Sequence, residues 1–165
     1  MHPAIYSTVC YLKVGSKLIK ILAVLDTGSS SSIIDAGFAQ HYGLKVLGEP
    51  YDKQCSYMDR VVKYKTVDIE LQLVGQDTRI VRTIQAQAVN GFSRCCFLQD
   101  WSSAKKPYKH LDDIVIPKSP YPPLGTVLIG TDYPFMFDIL EARRGKELEP
   151  VANRTLLGWA LMGPK

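Results

Sequence analysis

The alternation of apolar and polar positions predicts two β-strands at the start of the chain. Residues 4–14 and 17–25 are rich in β-branched and aromatic side chains, and Gly15-Ser16 lies between them. A Gly-Ser pair between two such runs is typical of a β-hairpin turn. The second strand would therefore deliver Asp26, a lone acid, at the end of an apolar run.

A second pair of strands is predicted in the middle of the chain. Residues 67–73 alternate apolar and polar side chains without a break, and residues 78–89 repeat the pattern after a turn at Gly75. This period of two is that of a half-buried strand, so a second hairpin is expected. The preceding segment, residues 51–65, is polar and mixed in composition, and we expect it to be mobile.

A short helix is expected after the first hairpin. Residues 31–35 predict a short strand, and residues 36–42 predict two helical turns that end at Gly43. Aspartate is a favoured N-cap, and Asp35 directly precedes the helical pattern. This assignment makes Asp35, rather than Asp26, the helix-capping acid.

The C-terminal half departs from the strand pattern and then returns to it. Residues 91–123 are rich in proline and too short to carry their own core, so they are expected to be an insertion in a single domain of residues 1–165. A buried strand then ends at Gly130. A helix is predicted over residues 133–140, and residues 155–163 predict a closing strand.

Composition and charge exclude several classes of protein. The 165 residues, 46% of them apolar and 22% charged, suffice for one folded domain with a core. No apolar stretch could cross a bilayer and no secretion signal begins the chain, so we expect no membrane partner and an intracellular, cytoplasmic location, free or within a polyprotein. The net charge of +4 is mild and scattered, which predicts no nucleic-acid partner.

The cysteines predict neither a zinc site nor a disulfide framework. Cys10, Cys55, Cys95 and Cys96 include no CxxC pair and have no histidine at ligand spacing. We therefore expect reduced thiols, no metal and no cofactor.

The Asp-Thr-Gly sequence at residues 26–28 is, taken alone, more typical of a polar turn after a strand than of a site. Its context changes the picture, because a second apolar strand ends at Gly130 before a predicted helix. This order resembles the retropepsin-like aspartic peptidases, and more closely the peptidases of Bel/Pao-type LTR retrotransposons. The resemblance runs from about Ile5 to Pro164 and is carried by DTGSSSSII at 26–34, HLDDIVIP at 110–117, LIGTD at 128–132 and ANRTLLGWALMGP at 152–164.

The resemblance implies an all-β fold with short helices, a retropepsin-like acid-protease β-barrel that supplies one lobe per chain. Amide hydrolysis by this route needs two carboxylates that share a proton, one to activate water and one to protonate the carbonyl oxygen. The sequence has one Asp-Thr-Gly triplet, and Asp132 is expected to be a cap or a core-edge acid. A homodimer with one catalytic Asp26 per subunit is therefore implied, with the closing strand paired across its interface.

Family roles are implied for the positions that match. Thr27 would lock the two loops across the dimer axis, Gly28 would allow a tight turn beside the substrate, and Ser29 would donate a hydrogen bond to Asp26. The flap that closes over the substrate would lie in residues 51–65, a segment that, unlike viral flaps, contains no glycine. The substrate-binding residues at its tip would be Ser56, Tyr57, Met58 and Asp59.

Three functions remain open from the sequence. The first is an aspartic endopeptidase that cuts extended polypeptides, such as a Gag-Pol-like polyprotein. The second is a domesticated retrotransposon domain that dimerises or binds peptides without hydrolysing them. The third is a retropepsin-like protease of the ubiquitin-shuttle type, although the sequence contains no ubiquitin-like domain.

Overall fold

The chain is built mainly of β-strands, as the alternating pattern predicts. The computed structural model describes residues 4–57 and 59–164, and 49% of the chain is strand. The strands are β1 (Ala4–Val14), β2 (Lys17–Leu25), β3 (Ile33–Asp35), β4 (Val46–Tyr57), β5 (Arg60–Val74), β6 (Val81–Val89), β7 (Gly125–Ile129), β8 (Glu141–Arg143), β9 (Val151–Thr155) and β10 (Gly158–Gly163). The helices are α1 (Ala36–His41) and α2 (Trp101–Ala104), with 3-10 turns at Ser93–Cys95, Lys109–Leu111 and Pro134–Phe137. In the described ranges, no helix has the length and apolar character that a bilayer span requires.

The loop that carries the Asp-Thr-Gly triplet connects two strands that are not neighbours in the sheet. The strand order is β4-β5-β6-β3-β7-β2-β1-β10-β9-β8, with a further pairing of β5 to β1. β7 lies between β2 and β3, parallel to β2 and antiparallel to β3. Since β2 and β3 are consecutive in the chain, the loop of residues 26–32 that connects them must pass across the end of β7.

Three local predictions are confirmed. β1 and β2 pair along a hairpin with Gly15 in its turn, and β5 and β6 form the second hairpin. The short helix is α1, and the Asp35 carboxylate caps it by accepting a hydrogen bond from Phe38 N at 3.0 Å. Asp26 is thereby free of any capping role in α1.

The segment 51–65, which the sequence shows as polar and mixed, belongs to a regular antiparallel hairpin. β4 and β5 pair from Tyr51 opposite Thr66 to Tyr57 opposite Arg60. This part of the hairpin extends beyond the end of β6, so its two faces are solvated and its polar composition is compatible with strand.

The prediction of a helix over residues 133–140 is wrong. A 3-10 turn forms at Pro134–Phe137, and the chain then extends towards β8. Leu140 N donates to the Arg154 carbonyl at 2.8 Å, so this segment joins the sheet through its main chain instead of continuing a helix.

The expected closing strand over residues 155–163 is a hairpin. β9 and β10 pair with each other around a turn where Gly158 has φ +112°, a conformation that favours glycine. β10 also pairs with β1. Both edges of β10 are thus occupied within the chain, so this strand has no free edge for the pairing across a dimer interface that the resemblance implies.

The insertion of residues 91–123 packs on the sheet. One face of the sheet holds the main core, which includes Ile21, Ile34 and Ile129. The opposite face is covered by the insertion in two clusters, one around Trp101 against β9 and β10, the other around Leu98 against β2. The insertion therefore shares its core with the strands.

Candidate active site

Main-chain hydrogen bonds hold Asp26 at the end of β2. Its N–H donates to the Ile129 carbonyl of β7 at 3.0 Å, and its own carbonyl accepts from Ser29 N at 3.2 Å. Its carboxylate oxygen Oδ1 accepts from Gly28 N at 2.8 Å. These bonds place a half-exposed carboxylate on a tight turn, beside the exposed Thr27 and Gly28.

Gly130 lies directly against this loop. A Cβ at Gly130 would lie 2.6 Å from the Ser29 carbonyl oxygen and 2.7 Å from that of Ser31. Both contacts are main-chain atoms, so a side chain there would displace the loop itself. Thr131 N adds a hydrogen bond to the Ser29 carbonyl at 2.8 Å. Gly130 is therefore a close-packing glycine under the Asp26 loop.

Two residues that the sequence reasoning did not assign to the site brace the loop. The buried Ser32 donates from N to Asp132 Oδ2 at 3.0 Å and from Oγ to Asp132 Oδ1 at 2.8 Å. Its Oγ also accepts from Gly130 N at 3.1 Å. Asp132 does not cap the 3-10 turn that follows it, which has no side-chain cap; it is an exposed acid that holds the buried Ser32. The sequence feature that could have indicated this contact is an acid, Asp132, two residues after the strand that ends at Gly130, together with the run of serines after Asp26.

The bond expected from Ser29 to Asp26 is replaced by another. The Ser29 hydroxyl donates to the Ser31 carbonyl at 2.7 Å. That acceptor lies within the same turn, whereas Oδ1 of Asp26 is occupied by Gly28 N. Ser29 thus shapes the loop, and the hydrogen bond that the resemblance implies from Ser29 to Asp26 is not formed.

The predicted flap residues lie on a different element from Asp26. Ser56, Tyr57 and Asp59 are at the tip of the β4–β5 hairpin, and Met58 lies outside the described residues. The structure thus gathers Asp26, Thr27, Gly28 and Ser29 into one loop and puts the flap residues on a separate hairpin.

A groove of about 460 Å³ lies elsewhere, between the insertion and the β9–β10 hairpin. Its lining is largely apolar and includes Val115 and Trp159. Its two charged residues already have partners, since Asp77 pairs with Arg79 and Arg154 with Glu141. We therefore place the candidate chemistry at the Asp26 loop, where a carboxylate is held and accessible.

The cysteines and acids of the described chain do not form a metal centre. Cys10 and Cys96 are buried, Cys55 and Cys95 are exposed, and all four are free thiols. Within residues 4–57 and 59–164, no group of three or more His, Cys, Asp or Glu side chains is arranged to hold a metal ion.

No family model, curated protein or solved structure matches the chain.

Proposed function

We propose that the chain is one half of a homodimeric, retropepsin-like aspartic endopeptidase, in which the sheet forms one barrel-like lobe. One observation carries this proposal. An accessible carboxylate, Asp26, sits on a loop that passes across a neighbouring strand and is fixed to it by hydrogen bonds to Ile129 and Gly130. A loop held in this way can position its carboxylate accurately, and two carboxylates that share a proton must be positioned accurately.

The second carboxylate would come from a second copy of the chain. Two aspartates in contact cannot both ionise, so one acts as the base that activates water and the other as the acid that protonates the carbonyl oxygen. The exposure of Thr27 and Gly28 leaves the loop accessible to its equivalent across a two-fold axis. The hydrolytic water would be bound between the two Asp26 side chains.

The substrate would be an extended polypeptide, such as a segment of a Gag-Pol-like polyprotein. Extended peptides bind strand edges and loops through main-chain hydrogen bonds, and the long β4–β5 hairpin supplies an element that can cover one. Covering the peptide would exclude bulk water from the reacting bond.

The test is cleavage of an unfolded protein mixture at mildly acidic and neutral pH, with and without pepstatin. We expect pepstatin-sensitive cleavage that disappears in Asp26→Asn and persists in Asp138→Asn, a matched change at an exposed aspartate. Because two chains make one site, specific activity should fall on dilution, and one inhibitor should titrate two chains.

Two results would contradict this proposal. Cleavage by Asp26→Asn at the wild-type rate would remove Asp26 from the reaction. Peptide binding without cleavage, equal in wild type and variant, would instead support the alternative, a domesticated retrotransposon domain that dimerises or binds peptides without catalysis.

A further inference from the structure

Three buried polar atoms lie where the insertion packs on the sheet. They are Ser7 Oγ, Trp101 Nε1 and Ser119 Oγ, and residues 4–57 and 59–164 supply no hydrogen-bond partner to any of them. Ser7, Trp101 and Ser119 are 2%, 3% and 7% exposed, so bulk water does not reach them freely. The large majority of buried side-chain polar atoms in proteins have a partner, because leaving one without a hydrogen bond costs stability.

The side chains that carry these atoms line one small cavity. The cavity has a volume of about 10 Å³ and lies between the insertion and strands β1, β2 and β10. Ser7 belongs to β1, Trp101 is the first residue of α2, and Ser119 lies between the 3-10 turn at Lys109–Leu111 and β7. Three segments that are far apart in the chain thus bring polar groups to the same small space.

The strand registers place Ser7 between the two apolar clusters that hold the insertion. Ser7 lies opposite Val24 of β2 on one side and opposite Leu161 of β10 on the other. Directly opposite residues share a face in an antiparallel pair. Val24 belongs to the cluster around Leu98, and Leu161 belongs to the cluster around Trp101. A single small hydroxyl therefore interrupts the apolar contact between the insertion and the sheet.

One carboxylate oxygen of the insertion holds the other two polar residues beside the cavity. Asp100 Oδ1 caps α2 by accepting from Ser102 N at 3.1 Å, and this helix begins at Trp101. The same oxygen accepts from Ser119 N at 3.3 Å. Because Asp100 binds only the main-chain N–H of Ser119 in this contact, the Ser119 hydroxyl stays available for another partner.

We propose that this cavity is a binding site for one water molecule, which joins the insertion to β1. An indole N–H can only donate a hydrogen bond, whereas a serine hydroxyl can donate and accept. A water molecule can accept from Trp101 Nε1 and share one hydrogen bond with each of Ser7 Oγ and Ser119 Oγ. A buried water typically makes about three hydrogen bonds and needs about the volume that this cavity has.

The lining of the cavity favours water over an ion. Among the described residues that line it, none is a lysine, arginine, aspartate or glutamate. A buried ion would therefore have no countercharge, and burying an unpaired charge costs far more than burying a neutral molecule. The bound water is a structural ligand, and it supplies the hydrogen bonds that the protein atoms around it require.

The experiment locates and counts this water. In a high-resolution crystal structure of the wild-type chain, we expect one water at about 2.7–3.2 Å from Ser7 Oγ, Trp101 Nε1 and Ser119 Oγ. In solution, magnetic relaxation dispersion of the water oxygen detects buried waters that exchange slowly. Ser7→Val should show one such water fewer than wild type, because the added methyl groups fill the site and remove one of its three partners. Ser103→Val, the same change at an exposed serine of α2, should leave the number unchanged.

Two results would overturn this proposal. One is direct hydrogen bonding among the three side chains with no water between them in the crystal structure. The other is an equal number of slowly exchanging waters in wild type and Ser7→Val. If Ser7→Val does not fold, the crystal structure of the wild-type chain decides alone. Neither measurement depends on catalysis, so the result leaves the peptidase proposal to its own test.

Discussion

The Asp132 carboxylate receives two hydrogen bonds from Ser32, one from its N at 3.0 Å and one from its Oγ at 2.8 Å. The two residues are 100 positions apart in the chain. Their contact ties the loop that carries Asp26 to the segment that follows β7. The position of the candidate catalytic carboxylate is thus set by a residue from the far end of the sequence.

Removing the Asp132 carboxylate should loosen this loop. We expect Asp132→Ala to lower the free energy of unfolding by about 1–3 kcal/mol, because the N–H and hydroxyl of the buried Ser32 lose the carboxylate that accepts from them. Urea denaturation measures the change. Peptidase activity should fall by a larger factor than stability explains, whereas Asp138→Ala, a nearby exposed acid, should alter neither. Unchanged activity in Asp132→Ala would show that the contact does not position Asp26.

A side chain at Gly130 should disrupt the same loop by collision. We expect Gly130→Ala to destabilise the protein by roughly 2–4 kcal/mol, because the new Cβ would lie within 2.7 Å of two main-chain carbonyl oxygens. Gly15→Ala is a suitable control. Its Cβ would meet no atom within 4 Å, so the cost should be about 1 kcal/mol from the positive φ alone. Thermal unfolding of both variants would distinguish them, and equal losses would contradict the steric account.

The thiols should differ in reactivity. Burial raises the pKa of Cys10 to about 12 and also raises that of Cys96, and the thiolate is the reactive form. Cys55 and Cys95 are exposed. We expect two of the four thiols to react quickly with an alkylating reagent in the native protein, and all four after unfolding, as mass spectrometry would show. Rapid native labelling of Cys10 would contradict the burial of β1.

Loss of the Trp101 side chain should destabilise the whole fold and not the insertion alone. Trp101 is 3% exposed and packs with Leu111 and Leu161, so Trp101→Ala should cost about 3–5 kcal/mol. Phe97→Ala, in the same insertion but 71% exposed, should cost far less. The free energy of unfolding can be measured for both variants by denaturation followed by circular dichroism. Tryptophan fluorescence can also be used for Phe97→Ala, which keeps Trp101. A small loss in Trp101→Ala would mean that the insertion is dispensable for the fold.

Local pattern predicted the elements that local forces determine. The β1–β2 hairpin follows from its turn and its period, and α1 follows from its Asp35 cap. The position of β7 between β2 and β3 cannot be predicted from local sequence, because β7 is far from both strands in the chain. The contact of Ser32 with Asp132 depends on this strand order, so the contact could not be predicted from the sequence either.

Other differences arose where tertiary contacts outweighed local preference. The helical pattern of residues 133–140 was overridden by the main-chain bond from Leu140 to Arg154, which draws the chain into the sheet. The polar segment 51–65 formed strand because residues 51–57 pair across the hairpin with residues 60–66. Asp26 itself could be identified from the sequence, because the Asp-Thr-Gly motif consists of three consecutive residues and needs no tertiary information.

The pairing of β1 with β10 has a consequence for biosynthesis. Thr8, near the start of the chain, bonds to the Trp159 carbonyl 151 positions later. On the ribosome, β1 must therefore wait until β10 has been made before its outer edge is satisfied. Such long-range closure slows folding, and until it occurs the nascent chain exposes a strand edge open to chaperones and to unwanted association.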